Sequence, residues 1–285
     1  MADVIILGNG PAGISAAAYT ARAKLSTMVI GRDQGALKKV DKIENYYGFS
    51  EPISGDELVR NGIAQAKRLG AEIIQDEIVG LSYDGEFILQ SKTNEYRGKT
   101  LILATGASRK APKIQGLREF EGKGVSYCAI CDAFFYRKKA VAVFGDGEYA
   151  LHEAMELLPI VGSVALLTNG KEPTVEFPKE ITVYKNEIAS FDGDPSLRSV
   201  SFKDGTALPV SGVFIAVGVA GSADFARKLG AEIDGTNIVV NDNMETSVPG
   251  LYAAGDCTGG LLQIVKAACD GAKASMSAIK RIRSI

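Results

Sequence analysis

The sequence predicts an α/β fold made of two Rossmann-like, three-layer ββα-type dinucleotide-binding domains, the first of them discontinuous. Three observations carry this. A short apolar strand, a glycine-rich turn and an alanine-rich helix open the chain, and the same order recurs near residue 140. The 285 residues are long for one core and suit two domains. The last segment, LYAAGDCTGG and the helix after it, has no glycine loop of its own and must pack on an earlier one.

Taken in order, Val4 to Leu7 is an apolar run that reads as a buried strand. GNGPAG (Gly8 to Gly13) is the tight turn, Ile14 to Ala23 a helix, and Thr27 to Ile30 the next strand. An apolar strand, Thr100 to Leu103, precedes ATGA (Ala104 to Ala107). The second unit repeats the plan: strand Ala140 to Phe144, turn GDGEYA (Gly145 to Ala150), a helix through about Leu158, and a strand from Val164 to Thr168. Crossings between domains are expected at Ala111 to Gly116, with Pro112, and at Val240 to Gly250, with Pro249. The final helix is expected from about Leu261 to Ile282.

Lysine and arginine number 32 against 34 acidic residues, so no bulk field favours nucleic acid or an anionic membrane. The amino terminus lacks the basic region and long apolar core of a signal peptide. No stretch approaches the length of a membrane span. Four cysteines do not make a secreted disulfide framework, and a cytoplasmic protein is expected.

Chemistry is concentrated at Cys128 and Cys131, followed by Asp132. A Cys-x-x-Cys pair at the start of a helix closes a small disulfide ring and has a lowered thiol pKa, and an aspartate beside it can move a proton. A zinc site needs four ligands; Cys257, Cys269 and His152 offer no second pair at ligand spacing, and no metal is expected. In the first loop, Gly8 allows the turn, Gly10 lets backbone approach a pyrophosphate, and Gly13 allows close helix packing, while Pro11 and Ala12 complete the turn before a helix whose N–H groups and positive dipole suit phosphate. Asp33 is placed for a ribose hydroxyl or is a solvated loop residue. Ala104, Thr105 and Gly106, and Gly255 with Asp256, are small-residue turns after strands that would let backbone lie against a cofactor.

GNGPAG, IENYYG (Ile43 to Gly48), ATGASR, CAICDAFFYR and LYAAGD together resemble the low-molecular-weight thioredoxin reductases over essentially the whole chain. The resemblance implies an FAD domain at residues 1–113 and 241–285 and a redox-active disulfide domain at 114–240. It implies that Cys131 faces the flavin, that Cys128 exchanges with thioredoxin, and that Asp132 manages the thiol proton. It places FAD contacts on the first loop, Asn45, Ala104 to Gly106 and Asp256. Gln263, Ile264 and Val265 start the last helix, whose dipole suits the negative charge of a reduced flavin. A homodimer built on the FAD domains is implied as well.

The second domain departs from that family. NADPH-dependent members carry a histidine and arginines after its second strand, because a 2′-phosphate needs guanidinium forks. Here the segment reads ALLTNGKEPTVEFP (Ala165 to Pro178), with neither residue type. GDGEYA also sets Asp146, Glu148 and the bulk of Tyr149 where a pyrophosphate would lie; two like charges about 4 Å apart repel by roughly 1 kcal/mol in water and about 4 at an effective dielectric near 20. The chain therefore resembles the ferredoxin-dependent flavin branch, in which ferredoxin replaces NADPH. Docking of that acidic donor is expected on Lys38, Lys39 and Lys42, on Arg109, Lys110 and Lys113, or on Arg137, Lys138 and Lys139. The rival readings are a dithiol oxidase passing electrons to oxygen, an NAD(P)H-dependent reductase with an atypical nucleotide site, and a flavin-bound redox sensor without turnover.

Overall fold

The computed structural model describes residues 1–33, 35–107, 112–218 and 220–284. The chain forms two compact units, Met1–Arg109 with Gly221–Ile285, and Lys110–Ala220.

The first unit begins with β1 (Ala2–Leu7), α1 (Pro11–Arg22) and β2 (Thr27–Gly31), followed by α2 (Gly55–Arg68) and β3 (Glu72–Gln75). An antiparallel meander follows, β4 (Ile78–Tyr83), β5 (Phe87–Ser91) and β6 (Glu95–Leu103). The long β6 serves two partners. Its first half pairs with β5, while its second half runs parallel to β1, with Leu103 opposite Leu7. The order is β3-β2-β1-β6-β5-β4. Because β1 and the end of β6 are covered on both faces, they read as unbroken apolar runs; Val4, Ile5, Ile6, Leu101 and Ile102 are all fully buried.

The second unit repeats that plan. It holds β7 (Val125–Ser126), α3 (Ala129–Asp132), β8 (Ala140–Phe144), α4 (Glu148–Leu157), β9 (Ser163–Leu167) and β10 (Thr182–Tyr184). A meander of β11 (Ile188–Gly193), β12 (Leu197–Phe202) and β13 (Ala207–Pro209) precedes β14 (Gly212–Ile215). The parallel order is β10-β9-β8-β14-β7. Phe144, Leu167, Phe191, Leu197 and Val213 lie in its core.

The chain returns to the first unit with α5 (Ser222–Lys228), the hairpin β15 (Ile233–Asp234) and β16 (Asn237–Ile238), then β17 (Leu251–Ala253) and α6 (Ile264–Ser284). Strand β17 adds in parallel to β6. Helix α6 crosses α1 closely: a Cβ on Gly271 would sit 2.0 Å from the Ala12 carbonyl oxygen, and Ser15 Oγ donates to Ala268 O at 2.7 Å. Small residues on both helices, Ala12, Ala16, Ala17, Ala267, Ala274 and Ala278, permit this approach. The final helix thus packs on the first loop's own helix, as its lack of a loop demanded.

The second crossing falls at 220/221, earlier than the expected 240/241. The reason is local. Ser222 N–H donates to Thr105 Oγ1 at 2.9 Å and Thr105 N–H donates to Ser222 Oγ at 3.1 Å, while Phe225 and Ala226 are buried. These contacts tie α5 to the first unit, and the turn containing Pro249 lies within that unit.

Candidate active site

In the first unit, the segments expected to hold a cofactor converge. Gly8 has φ +117°, and a Cβ there would sit 2.2 Å from Ala104 O; one on Gly13 would sit 1.8 Å from Gly8 O. Backbone therefore touches backbone at both positions, which only glycine allows. Around Gly10, by contrast, a Cβ would meet nothing within 4 Å. Helix α1 starts there with Pro11 in its first turn, no side-chain cap and no acidic residue. Its positive end is therefore suited to an anion such as a pyrophosphate.

The other two turns abut this loop. Ala104 N–H donates to Leu7 O at 2.8 Å, Gly106 has φ +81°, and a Cβ on Gly255 would come within 2.9 Å of the Ala12 methyl. Asn45 Nδ2 donates to Gln263 Oε1 at 3.0 Å, so two expected cofactor contacts 218 residues apart meet at the start of α6, where Ile264 and Val265 follow. Asp256 is half-buried in the turn after Gly255. Asp33 is already engaged: Gly35 N–H donates to Oδ1 at 2.8 Å and Arg32 pairs with Oδ2 at 2.7 Å. The Gly35 amide, then the Arg32 guanidinium, hold its carboxyl below the ordinary range. A ribose hydroxyl at Asp33 would share these oxygens.

Sequence reasoning missed Ser222 and Lys266. Lys266 Nζ donates to Gly255 O, Thr258 Oγ1 and Gly259 O at 2.7–2.8 Å and pairs with Asp270 at 2.8 Å. Asp270 Oδ2 in turn accepts from Gly255 N–H at 3.1 Å. This network fastens the 255–259 turn to α6. The i,i+4 Lys–Asp spacing was its one sequence signal. Cys257 lies inside the turn, and burial pushes its thiol up to about 11. Cys269 is exposed.

In the second unit, Cys128 and Cys131 are joined by a disulfide with Cα atoms 5.3 Å apart. Cys128 is the N-cap of α3, and its Sγ accepts from Cys131 N–H at 3.2 Å. Ser126 Oγ accepts from Cys128 N–H at 3.1 Å, and Glu153 Oε2 accepts from Ala129 N–H at 2.8 Å. Asp132 sits at the end of this turn; burial first, then the nearby Asp132 charge, pushes the Tyr136 phenol up. Cys131 is exposed and Cys128 only 4 % exposed. A role for Cys128 in attack on a protein therefore requires the turn to be uncovered.

The second glycine loop differs from the expectation that Asp146 stands as a like charge, and Tyr149 as bulk, where a pyrophosphate would lie. Asp146 is paired with Lys171 at 3.1 Å, and the Tyr149 ring is in the core rather than over the loop. The loop's other contacts come from the segment after β9. Thr174 donates both its N–H (2.7 Å) and its hydroxyl (2.9 Å) to Asp146 O, and its Oγ1 lies 3.2 Å from where a Gly147 Cβ would be. The segment after β9 folds back onto the loop.

Of the expected docking lysines and arginines, Lys38, Lys42, Lys113, Arg137, Lys138 and Lys139 are exposed. Lys42 pairs with Glu44, and Arg137 lies over the Phe134 ring. Arg109, Lys110 and the Lys39 side chain lie outside the described residues.

Two dinucleotide-type units, one with an open phosphate loop and one with a Cys-x-x-Cys disulfide, define a disulfide oxidoreductase. The family model for pyridine nucleotide-disulphide oxidoreductases matches residues 2–272. A thioredoxin reductase of Aquifex aeolicus is 38 % identical, covering 98 % of this chain and 92 % of that one. The solved atypical thioredoxin reductase TRi of Desulfovibrio vulgaris Hildenborough superposes with a TM-score of 0.93 at 42 % identity, covering 100 % of this chain and 99 % of that one. A ferredoxin-flavin thioredoxin reductase of Clostridium acetobutylicum gives 0.73 at 29 % identity, with coverage of 100 % and 99 %. The chain belongs to the pyridine nucleotide-disulphide oxidoreductases and, within them, to the thioredoxin reductase family. Its cofactor is FAD, and the open Gly10, the uncapped start of α1 and the joined Asn45 and Gln263 fit that group.

Proposed function

We propose that this protein reduces the disulfide of thioredoxin through its Cys128/Cys131 pair, using FAD and taking electrons from reduced ferredoxin rather than from NADPH. In balance, two reduced ferredoxins and two protons convert one thioredoxin disulfide to a dithiol. FAD, when bound, accepts electrons singly or in pairs and passes a pair to a disulfide. The first unit is the FAD domain in this reading, held by Gly8, Gly10, Pro11, Ala12, Gly13, Asn45, the Ala104–Gly106 and Gly255–Asp256 turns, and the start of α6. Asp33 serves the ribose.

In the second unit, Cys131 takes the electron pair as the S–S bond opens, and Asp132 handles the proton at the sulfur. Cys128 then attacks the thioredoxin disulfide, forming a mixed disulfide that Cys131 resolves. Phe134 and Phe135, 67 % and 70 % exposed, surround the turn with apolar surface of the kind a protein partner covers. The exposed lysines and arginines supply attraction for an acidic donor. The working form is a cytoplasmic homodimer, as the family resemblance suggests; among the described residues no helix is long and apolar enough to cross a membrane.

The observation that carries the choice of donor is Thr174 on Asp146 O: the second loop is bonded to its own chain, in a segment with no arginine or histidine for a 2′-phosphate. The solved ferredoxin-flavin relative supports the same choice. The test is an anaerobic absorbance titration of the oxidised flavoprotein with NADPH, NADH and reduced ferredoxin, thioredoxin being present. Flavin bleaching by ferredoxin alone, with thioredoxin reduced, is expected. Rapid bleaching by either nicotinamide would overturn the donor assignment, and oxygen uptake with a small dithiol in place of thioredoxin reduction would reverse the direction of flow.

A further inference from the structure

Among the described residues, Asp270 and Glu153 are the buried acidic side chains. Asp270 is neutralised by Lys266. Glu153 projects from the packed face of α4, beside Tyr149, Ala150, Ala154 and Leu157, with 1 % exposure. A carboxylate in such a place needs compensating hydrogen bonds, and an apolar residue would pack there without that cost. Its Oε2 accepts the N–H of Ala129, the residue that follows Cys128 and opens the redox turn.

We propose that Glu153 is a positioning residue for the Cys128/Cys131 couple, pinning the turn to α4 and setting the ease with which Cys128 becomes a thiolate. This rests on the reading of that pair as the working dithiol. The two effects have a common geometry. The amides at the start of a helix favour a cysteine thiolate. Cys128 Sγ already accepts from Cys131 N–H, but the Ala129 amide is given to Glu153, which also brings a negative group within one residue of the sulfur. Other titratable and charged groups on the turn and on the elements packed against it are Asp132, Tyr136 and Arg137 on one side, and Glu148, Tyr149, His152 and Glu156 on α4. None of these is altered in the test.

The experiment follows alkylation of reduced Cys128 by iodoacetamide as a function of pH, in FAD-loaded protein carrying Cys131→Ser. Adding Glu153→Gln keeps the volume and a carbonyl acceptor for Ala129 while removing the charge. The midpoint is expected to fall by about one pH unit, a roughly tenfold gain in thiolate fraction below both midpoints and, because nucleophilicity falls with pKa, a gain in rate of about threefold there. In protein with both cysteines, the same change should favour the reduced dithiol against dithiothreitol at alkaline pH by up to about tenfold, equal to about 30 mV. An unmoved midpoint and equilibrium in a Glu153→Gln protein that retains FAD would overturn the proposal, since a purely structural acceptor is restored by glutamine. A Cys128→Ser control separates the two readings: if it keeps thioredoxin turnover, the working-dithiol assignment falls, and with it this proposal; if turnover is lost, an unmoved midpoint sinks the role of Glu153 alone.

Discussion

The two glycine loops of this chain have the same local design and opposite surroundings. Each follows an apolar parallel strand, and each contains a glycine pressed against a neighbouring carbonyl, Gly8 on Ala104 and Gly145 on Ala216, the latter 2.3 Å from a would-be Cβ. Each also leads into a helix whose N-cap glycine offers no side chain. Around the first, the space at Gly10 is open. Over the second, Thr174 and Lys171 bond to Asp146. A glycine fingerprint thus describes how a strand enters a helix. What lies over that helix start is set by a segment more than twenty residues downstream.

The most disruptive way to test this contrast is a side chain at Gly13. Gly13→Val places a Cβ 1.8 Å from Gly8 O and should abolish FAD retention, read as bound flavin absorbance after gel filtration. The sharper form is Gly10→Ala. A methyl there meets no protein atom, so folding should be kept while FAD affinity falls at least tenfold; unchanged affinity would mean that no pyrophosphate lies over Gly10.

Next in size is the support of the 255–259 turn that abuts the first loop. Lys266→Met leaves Asp270 buried and unpaired, at an expected cost of about 3–5 kcal/mol, seen as a lower denaturant midpoint and weaker FAD binding. An unchanged midpoint would show that the 255–259 turn does not depend on this pair.

A pH effect of comparable origin belongs to Cys257. Its folded-state pKa, about 11 against 9.0 for the ordinary thiol, is raised, so its contribution is fully present below pH 9 and is lost as pH rises towards 11. Two units correspond to about 3 kcal/mol. Thermal melts between pH 8 and 11 should fall more steeply for the parent than for Cys257→Ala, and parallel curves would remove Cys257 as the cause.

The smallest effect is expected over the second loop. Thr174→Ala deletes the hydroxyl bond to Asp146 O and keeps the N–H bond, costing about 1 kcal/mol. It should not let NADPH bleach the flavin, because the guanidinium groups for a 2′-phosphate are still absent. If bleaching appears, Thr174 alone closes the site.

Much of this architecture was legible in the residues. Strand β8 runs from Ala140 to Phe144 as expected, and β1, α1, β2, α4 and β9 lie within a few residues of their anticipated limits, because buried parallel strands and glycine turns leave unambiguous apolar runs and punctuation. The Cys128/Cys131 pair was equally plain, since a spacing of three residues brings two sulfurs together through local backbone alone. By contrast, Val240 to Gly250 looked like a crossing through its proline and polar residues, yet the chain crosses at 220/221. The bonds between Thr105 and Ser222 decide this, and they join residues 117 apart.

By itself, then, the sequence determined what depends on neighbours in the chain: two strand-turn-helix units, a dithiol turn, and the missing arginines and histidine of the second loop. Tertiary structure alone decided what depends on distant groups meeting. It paired Asn45 with Gln263, locked the 255–259 turn with Lys266, laid Thr174 on the second loop, and buried Glu153 against Ala129. A hydrogen bond is a short-range interaction, and folding, not spacing along the chain, brings these donors within reach of their acceptors.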